Sequence, residues 1–174
     1  MNPAVFGVTG WKNSGKTTLV AGLVTELTAR GYAVSTIKHA HHRFDIDQEG
    51  TDSFKHRQAG AQEVFLVSGY RWVLMHELRG DDEPTLAETL ARISPCDLVL
   101  IEGYKSEDHP KIEARRSGSK QHDPLCKDDP RIVAIATDHV VEETHIPSFD
   151  LNNVKAMADF VEDYCRLEAN NDPA

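Results

Sequence analysis

With 174 residues, of which 40% are hydrophobic, the chain is long enough to form one domain with its own core. Its net charge of −9 argues against a nucleic-acid-binding protein, because a phosphate backbone requires a basic surface. No run approaches the ~18 apolar residues that a membrane span requires, and the N-terminus lacks the pattern of a signal peptide. The scattered cysteines form no C-x-x-C pair, which predicts reduced thiols and a cytoplasmic protein.

An apolar run at residues 4–9 predicts a buried parallel strand, and the phosphate-binding pattern G-x-x-x-x-G-K-[ST] follows it directly. Residues 18–27 carry leucines at i, i+4 and i+8, which predicts an amphipathic helix that ends near Arg30. Strand, loop and helix in this order are the context that a P-loop, or Walker A motif, requires. The nucleotide-binding residues predicted here are Gly10, Lys12, Asn13, Ser14, Gly15, Lys16, Thr17 and Thr18.

Each residue type in this loop has a physical reason. Gly10 and Gly15 allow backbone conformations that a side chain would forbid, and they let the backbone approach an anion closely. Lys16 is expected to contact the β- and γ-phosphates and to act in catalysis, and the Thr17 hydroxyl is expected to bind Mg2+. Lys12 could contact phosphate within the chain or across a dimer, or it could be a solvated lysine.

A second strand is predicted at residues 33–38, and a polar segment then leaves the edge at which parallel sheets bind ligands. Asp45 and Asp47 in this segment could hold a metal or respond to the γ-phosphate. The alternative is that both belong to a flexible acidic loop. We count Asp45 among the candidate metal ligands.

The same segment contains His39, His41 and His42. Zinc is disfavoured, because two of the histidines are adjacent, no cysteine is near and no fourth ligand is evident. A role in contacting a ligand or in shaping the loop is the favoured interpretation.

A short helix is predicted near residues 51–59, followed by a hairpin. Two β-rich runs, residues 62–67 and 70–75, flank a two-residue turn at Ser68-Gly69. An antiparallel hairpin is expected at the edge of the sheet. Its large apolar side chains require cover, either from the chain itself or from a second subunit.

A helix is predicted over residues 85–93, and an apolar strand over residues 97–103 ends in an acid. That acid, Glu102, stands where a Walker B carboxylate belongs, so it is expected to hold Mg2+ directly or through water and to act in catalysis. Asp97, at the start of the strand, is expected only to cap a turn.

A basic cluster follows within an otherwise acidic chain. It comprises Lys105, Lys111, Arg115 and Arg116. It could receive an anionic partner molecule, or it could be a solvated face. Residues 118–130 are predicted to form a mobile loop.

The last predicted strands span residues 131–138 and 146–149, and Asn152 or Asn153 is expected to cap a final helix. Asp138 ends the first of these strands, and its carboxylate could accept hydrogen bonds from guanine N1 and N2. No N-K-x-D guanine motif is present, so the residues alone leave guanine and adenine open.

Alternation of strands and helices with a P-loop after the first strand predicts a three-layer α/β/α P-loop NTPase fold. The sheet is expected to be mainly parallel, with the antiparallel hairpin at its edge. One nucleotide-binding domain is predicted over residues 1–168, with a frayed tail at residues 169–174.

Several segments together resemble the molybdopterin-guanine dinucleotide biosynthesis adapter family, MobB. They are G-W-K-N-S-G-K-T-T at residues 10–18, I-K-H-A-H-H at 37–42, F-D-I-D at 44–47 with G-T-D-S at 50–53, I-E-G-Y-K at 101–105 and P-K-I-E at 110–113. The P-loop is shared with many unrelated families, whereas the second and fourth segments are far more specific. Their order and spacing match over nearly the whole chain.

The resemblance implies a GTP-binding protein with weak GTPase activity, with GTP and Mg2+ as ligands. It also implies a partnership with molybdopterin and the guanylyltransferase that joins GMP to it, and a homodimer in which edge strands take part. The P-loop roles of the family fall on Gly15, Lys16 and Thr17, and the metal-side acid on Glu102. No nucleic-acid or membrane partner is expected.

Two alternatives remain at this point. One is a small-molecule kinase or ATP-dependent ligase on the same P-loop scaffold, with an acceptor held by residues 39–47 and by the basic cluster. The other is a scaffold protein with a vestigial nucleotide site.

Overall fold

The computed structural model describes residues 2–40, 44–119, 123–141 and 145–168. The chain divides into two compact units. The first comprises Met1–His39 together with Ile93–Ala174, and the second comprises Ala40–Arg92. A single nucleotide-binding domain over residues 1–168 stays a prediction, and the predicted tail at 169–174 lies outside the described residues. Within the described ranges, no helix combines the length and the apolar character needed to cross a bilayer.

The first unit contains most of the regular structure. Its elements are β1 (Ala4–Thr9), α1 (Lys16–Ala29), β2 (Val34–Lys38), β5 (Leu98–Glu102), β6 (Lys111–Arg115), β7 (Ile132–Thr137), β8 (Ser148–Asp150) and α4 (Val154–Cys165). The second unit contains α2 (Asp52–Gln58), β3 (Glu63–Val67), β4 (Trp72–His76) and α3 (Leu86–Leu90).

The six strands of the first unit form one sheet in the order β2-β5-β1-β6-β7-β8, and every pairing between neighbours is parallel. β5, the apolar run that ends in Glu102, is buried at every position, as a strand flanked on both sides must be. The predicted α/β class with a mainly parallel sheet is confirmed. The P-loop leaves β1 in the middle of the sheet.

Helices α1 and α4 pack on the same face of this sheet. The predicted leucine stripe of α1 and the inner face of α4 enter one core with Phe6 and Val8 of β1. Asn153 caps α4, since its side chain accepts a hydrogen bond from the backbone N–H of Ala156 at 3.2 Å. The second helical layer of the predicted α/β/α sandwich stays a prediction.

The opposite face of the sheet carries charged side chains of β6, a strand that the sequence analysis missed. Residues 111–115 alternate charged and apolar, so Ile112 and Ala114 enter the core while Lys111 and Glu113 project to the other side, where both are buried. The alternative of a solvated face is therefore wrong for Lys111, because its side chain is completely buried.

The second unit contains the predicted hairpin, and β3 and β4 are antiparallel. Their placement at the edge of the main sheet was wrong, because within the described residues the two strands pair only with each other. The turn is also displaced by one residue, since the N–H of Ser68 donates to the carbonyl of Arg71 at 2.9 Å. The hairpin bears exposed apolar side chains, which are Phe65, Leu66, Val67, Tyr70, Trp72 and Leu74.

Candidate functional site

The P-loop has the backbone conformation that its glycines permit. Gly10, Asn13 and Gly15 have φ angles of +145°, +65° and +95°. A Cβ atom at Gly10 would lie 2.5 Å from both the carbonyl oxygen of Ala114 and the hydroxyl oxygen of Ser14. Only glycine fits there, because both the dihedral angle and the available space exclude a side chain.

The loop leads into α1 at a helix end that carries no side-chain cap. Gly15 occupies the N-cap position and has no side chain that could accept a hydrogen bond. The N–H groups of the first helical turn and the positive end of the helix dipole therefore face outward, which favours an anion. Lys12, Asn13, Thr17 and Thr18 are exposed around this end.

Ser14 differs from these neighbours, since it is buried and its hydroxyl has no hydrogen-bond partner among the described residues. Its oxygen lies beside Gly10, at the base of the loop.

Lys16 folds its side chain back across the loop. Its Nζ donates a hydrogen bond to the carbonyl oxygen of Trp11 at 2.7 Å. Burial lowers the pKa of Lys16, Glu102 opposes this effect, and the positive charges of Lys105 and Lys38 add to it. A partly desolvated ammonium group at the mouth of the loop gains strongly from a negative ligand.

Thr17 and Glu102 meet at the carboxyl end of the sheet. The Thr17 hydroxyl donates to Oε1 of Glu102 at 2.8 Å, and the Glu102 residue itself is buried. Two neighbouring oxygen ligands of an octahedral Mg2+ ion lie about 3 Å apart, given Mg–O bonds of about 2.1 Å. The spacing and the hard oxygen donors of this pair therefore fit Mg2+.

A third side chain reaches the same two oxygens from β2. The Nζ of Lys38 lies 3.2 Å from Oε1 of Glu102 and 3.5 Å from the hydroxyl oxygen of Thr17. Lys38 and Glu102 are register partners across the β2–β5 pair, so the sheet places their side chains next to each other.

Two further cationic side chains lie beside the loop, Lys105 and Arg116. The Nζ of Lys105 lies 4.1 Å from the centre of the Trp11 ring, a cation–π contact, and the indole N–H of Trp11 donates to the carbonyl of Asp123 at 3.0 Å. A Cβ atom at Gly15 would lie 3.6 Å from a guanidinium nitrogen of Arg116. Such contacts join residues far apart in sequence, so no local pattern could indicate them.

The sequence pattern of a protein family covers most of the chain. Residues 5–138 match the MobB family, described as molybdopterin guanine dinucleotide synthesis protein B. The chain belongs to the MobB family. Two relatives extend the likeness beyond these residues. The molybdopterin-guanine dinucleotide biosynthesis adapter proteins of Haemophilus influenzae and Escherichia coli are 38% and 37% identical, over 92% and 91% of this chain and 88% and 91% of their own lengths.

The fold also matches a solved MobB structure. A MobB homolog from Bacillus stearothermophilus superposes with a TM-score of 0.68 at 27% identity, over 95% of this chain and 99% of that one. The match in sequence and the match in fold thus indicate the same family.

Beyond the P-loop, the MobB segments I-K-H and E-G-Y-K meet in space. The ring of His39 stacks on Tyr104 with 4.5 Å between ring centres, and the backbone N–H of His39 donates to the carbonyl of Glu102 at 2.9 Å. His41 and His42 lie outside the described residues.

In this MobB chain, Asp138 follows β7, two strands away from β1. Its carboxylate accepts hydrogen bonds from the backbone N–H and the hydroxyl of Ser117, at 2.7 and 3.1 Å, and lies 2.9 Å from Nδ1 of His139. The contact with His139, followed by those with Ser117, lowers the pKa of Asp138 to about 2. Its predicted role at guanine stays a prediction.

Asp45, the remaining candidate metal ligand, belongs to the second unit of this MobB chain. Its carboxylate makes two hydrogen bonds with the guanidinium group of Arg57, at 3.0 and 2.8 Å, and Asp47 accepts from the hydroxyls of Thr51 and Ser53 at 3.0 and 2.8 Å. The hydrogen bonds from Arg57 hold the pKa of Asp45 below its usual value. Both aspartates thus shape the loop before α2, and the metal role of Asp45 stays a prediction.

Proposed function

We propose that this chain is a Mg2+-dependent GTP-binding adapter that acts in the cytoplasm in the formation of molybdopterin-guanine dinucleotide. One observation carries the nucleotide part of the proposal, namely that Lys16, Thr17 and Glu102 converge at the uncapped N-terminus of α1. The names of the relatives from H. influenzae and E. coli support the pathway.

The P-loop would bind the phosphates through its backbone. The amides of residues 10–18 and the end of α1 surround an anion, and the ammonium group of Lys16 turns from the Trp11 carbonyl to the β- and γ-phosphates. Lys12 and Asn13, exposed at the tip of the loop, contact the same phosphates or their solvent shell.

Thr17 and Glu102 would hold Mg2+. Mg2+ bound there supplies positive charge next to the β- and γ-phosphate oxygens. Lys16 adds its own charge in the transition state, so slow GTP hydrolysis is the expected reaction. Asp138 would accept from guanine N1 and N2, which requires it to release Ser117.

The partners proposed are molybdopterin and the guanylyltransferase that joins GMP to it. The exposed apolar side chains of the β3–β4 hairpin, with Trp72 and Phe65 stacked at 5.3 Å, support a homodimer in which a second copy covers them. Sedimentation velocity tests the dimer. We expect Trp72→Ser to lower the dimer fraction and Val140→Ser, at an exposed apolar residue of the other unit, to leave it unchanged.

Calorimetric titration with GTP, GDP and ATP, each with and without Mg2+, tests the nucleotide proposal. We expect Mg2+-dependent GTP binding that Lys16→Ala abolishes and that Lys155→Ala, at an exposed lysine of α4, leaves intact. Unaltered GTP binding by Lys16→Ala contradicts the proposal. Preference for ATP together with a phosphorylated product would instead indicate a kinase or a ligase.

A further inference from the structure

The ammonium group of Lys38 lies where a cation would contact the two oxygens of the Thr17–Glu102 pair. Its Nζ is 3.2 Å from Oε1 of Glu102 and 3.5 Å from Oγ1 of Thr17, and these oxygens are 2.8 Å apart. They are the same two atoms that fit Mg2+. A lysine and a metal ion cannot both take this position.

The two partners of the ion pair differ in their access to water. The Lys38 side chain is 59% exposed, whereas that of Glu102 is 11% exposed. A buried carboxylate is costly without a compensating charge, so a cation beside Glu102 is favoured. An exposed lysine contributes only a weak ion pair and can leave into solvent without a large loss.

The backbone around Lys38 is fixed, so the exchange needs only a side-chain movement. Lys38 and Glu102 are register partners in the parallel β2–β5 pair, and the next backbone N–H, that of His39, donates to the carbonyl of Glu102. The sheet thus holds Lys38 beside the metal position, while its long side chain is free to rotate outward.

Electrostatic repulsion favours this movement once a divalent ion arrives. Lys38 and Lys105 already disfavour the charged form of Lys16, so positive charges repel each other in this site before a metal ion arrives. Two further positive charges on Glu102 would remove the attraction that keeps Lys38 in place.

We propose that Lys38 occupies the cation position of the Thr17–Glu102 pair in the metal-free protein and is displaced when a divalent metal ion binds. Lys38 is thereby a competitor for the metal within the chain, and it lowers the metal affinity of the empty site. Its release places a free ammonium group at the rim of the P-loop only after the metal has bound. The inference rests on the proposed function, since it takes Thr17 and Glu102 as the metal-binding pair.

Manganese(II) is a suitable probe, because the EPR signal of the free aqueous ion reports binding without any enzymatic turnover. We propose to titrate Mn2+ into the nucleotide-free wild-type protein and into Lys38→Met, Lys38→Arg and Lys55→Met. Lys55 is the matched control, since it forms an ion pair with Asp52 at 3.1 Å and its side chain is 64% exposed.

Lys38→Met should bind Mn2+ about two- to fivefold more tightly than the wild type, the factor that corresponds to a weak ion pair made by an exposed lysine. Lys38→Arg keeps the charge and should remain close to the wild type, as should Lys55→Met. In a Glu102→Gln background the gain from Lys38→Met should disappear, because the carboxylate for which lysine and metal compete is gone.

Equal or weaker Mn2+ binding by Lys38→Met overturns the inference, and so does binding that is undetectable in both proteins. Loss of GTP affinity in Lys38→Met without a gain in Mn2+ affinity would assign Lys38 to the phosphates instead, and also overturns it. A parallel GTP titration separates the two proposals. Failure of the wild type to bind GTP contradicts the proposed function, whereas the Mn2+ comparison without nucleotide still decides the role of Lys38.

Discussion

Glu113 of β6 fixes a segment that lies twelve residues further along the chain. Its completely buried carboxylate accepts hydrogen bonds from the backbone N–H groups of Leu125, at 2.9 Å, and Cys126, at 3.1 Å. The same segment supplies the carbonyl of Asp123 that accepts from the indole of Trp11 in the P-loop. A buried acid on the sheet thus holds in place a segment that contacts the P-loop.

The Glu113 carboxylate also pairs with Arg115 at 2.8 Å, and the Arg115 side chain is 12% exposed. Glu113→Gln keeps the size of the side chain but removes its charge, so it should lower the free energy of unfolding by about 3 kcal/mol. Urea denaturation measures this loss. Glu49→Gln, at an exposed position, should change the stability little, and a similar small loss for both variants would refute the structural role of Glu113.

Gly10→Ala should abolish nucleotide binding and destabilise the protein. An added Cβ would lie 2.5 Å from the Ala114 carbonyl, and a φ of +145° is strained for alanine. Gly118→Ala is the matched control, because an added Cβ there meets no atom of the described residues within 4 Å and φ lies outside the strained range. Calorimetry with GTP and thermal denaturation should separate the two variants, and normal GTP binding by Gly10→Ala would contradict the loop geometry.

His109 should make the stability of the protein sensitive to mild acid. Its ring is buried over Gly7, and neither ring nitrogen has a hydrogen-bond partner among the described residues. Burial, aided by Lys111 and Arg131, lowers the pKa of His109 from 6.5 to about 4, against the opposing charges of Asp129 and Asp108.

Because this pKa is lower in the folded state than in the unfolded chain, only the unfolded chain takes up the proton between these values. The stabilising effect is complete above pH 6.5 and is lost as the pH falls towards 4. His109→Gln should therefore show a shallower fall in the free energy of unfolding over this range. His56→Gln, at an exposed histidine of α2, should keep the wild-type slope, and an unchanged slope in His109→Gln would count against this assignment.

Arg30 should stabilise the contact between α1 and α4. Its guanidinium group lies 2.6 Å from Glu162 and 2.6 Å from Asp159 on α4, and 2.8 Å from Glu26 on α1. Arg30→Met keeps much of the apolar side chain but loses these ion pairs, and it should lower the free energy of unfolding by about 1–2 kcal/mol at neutral pH.

The same variant should change the response to acid. The hydrogen bond from Arg30, followed by that from Tyr32, holds the pKa of Glu162 below its usual 4.5. The associated stability is present above pH 4.5 and is lost as the pH falls through the lower pKa of the folded state. Arg30→Met should reduce this loss. Urea titrations between pH 5 and 3 would measure it, and an identical acid response in both proteins would speak against the pairing.

Local patterns in the sequence predicted several elements around the candidate nucleotide site correctly. The strand at residues 4–9 was predicted with the bounds observed for β1, and Gly31 follows α1 with a φ of +94°. The acid of the buried strand, Glu102, does lie at the carboxyl end of β5. These features depend on hydrophobic periodicity and glycine conformations, which are properties of short segments.

The missed strand β6 shows where such patterns fail. The alternation of Lys111, Glu113 and Arg115 with apolar residues is typical of a half-buried strand, but the charges suggested solvent. Only the folded chain supplies the partners that let these charges enter the interior, the half-buried Asp129 for Lys111 and the backbone N–H of Cys126 for Glu113.

The sequence by itself determined the family, the parallel α/β class and the glycine-rich loop after β1, because contiguous residues carry these features. The tertiary structure decided which side chains share the site, since sheet register and chain crossings bring Lys38 to Glu102 and Trp11 to Lys105. These contacts between distant residues depend on the order in which the strands pair. Strand order is a property of the whole fold rather than of any single segment.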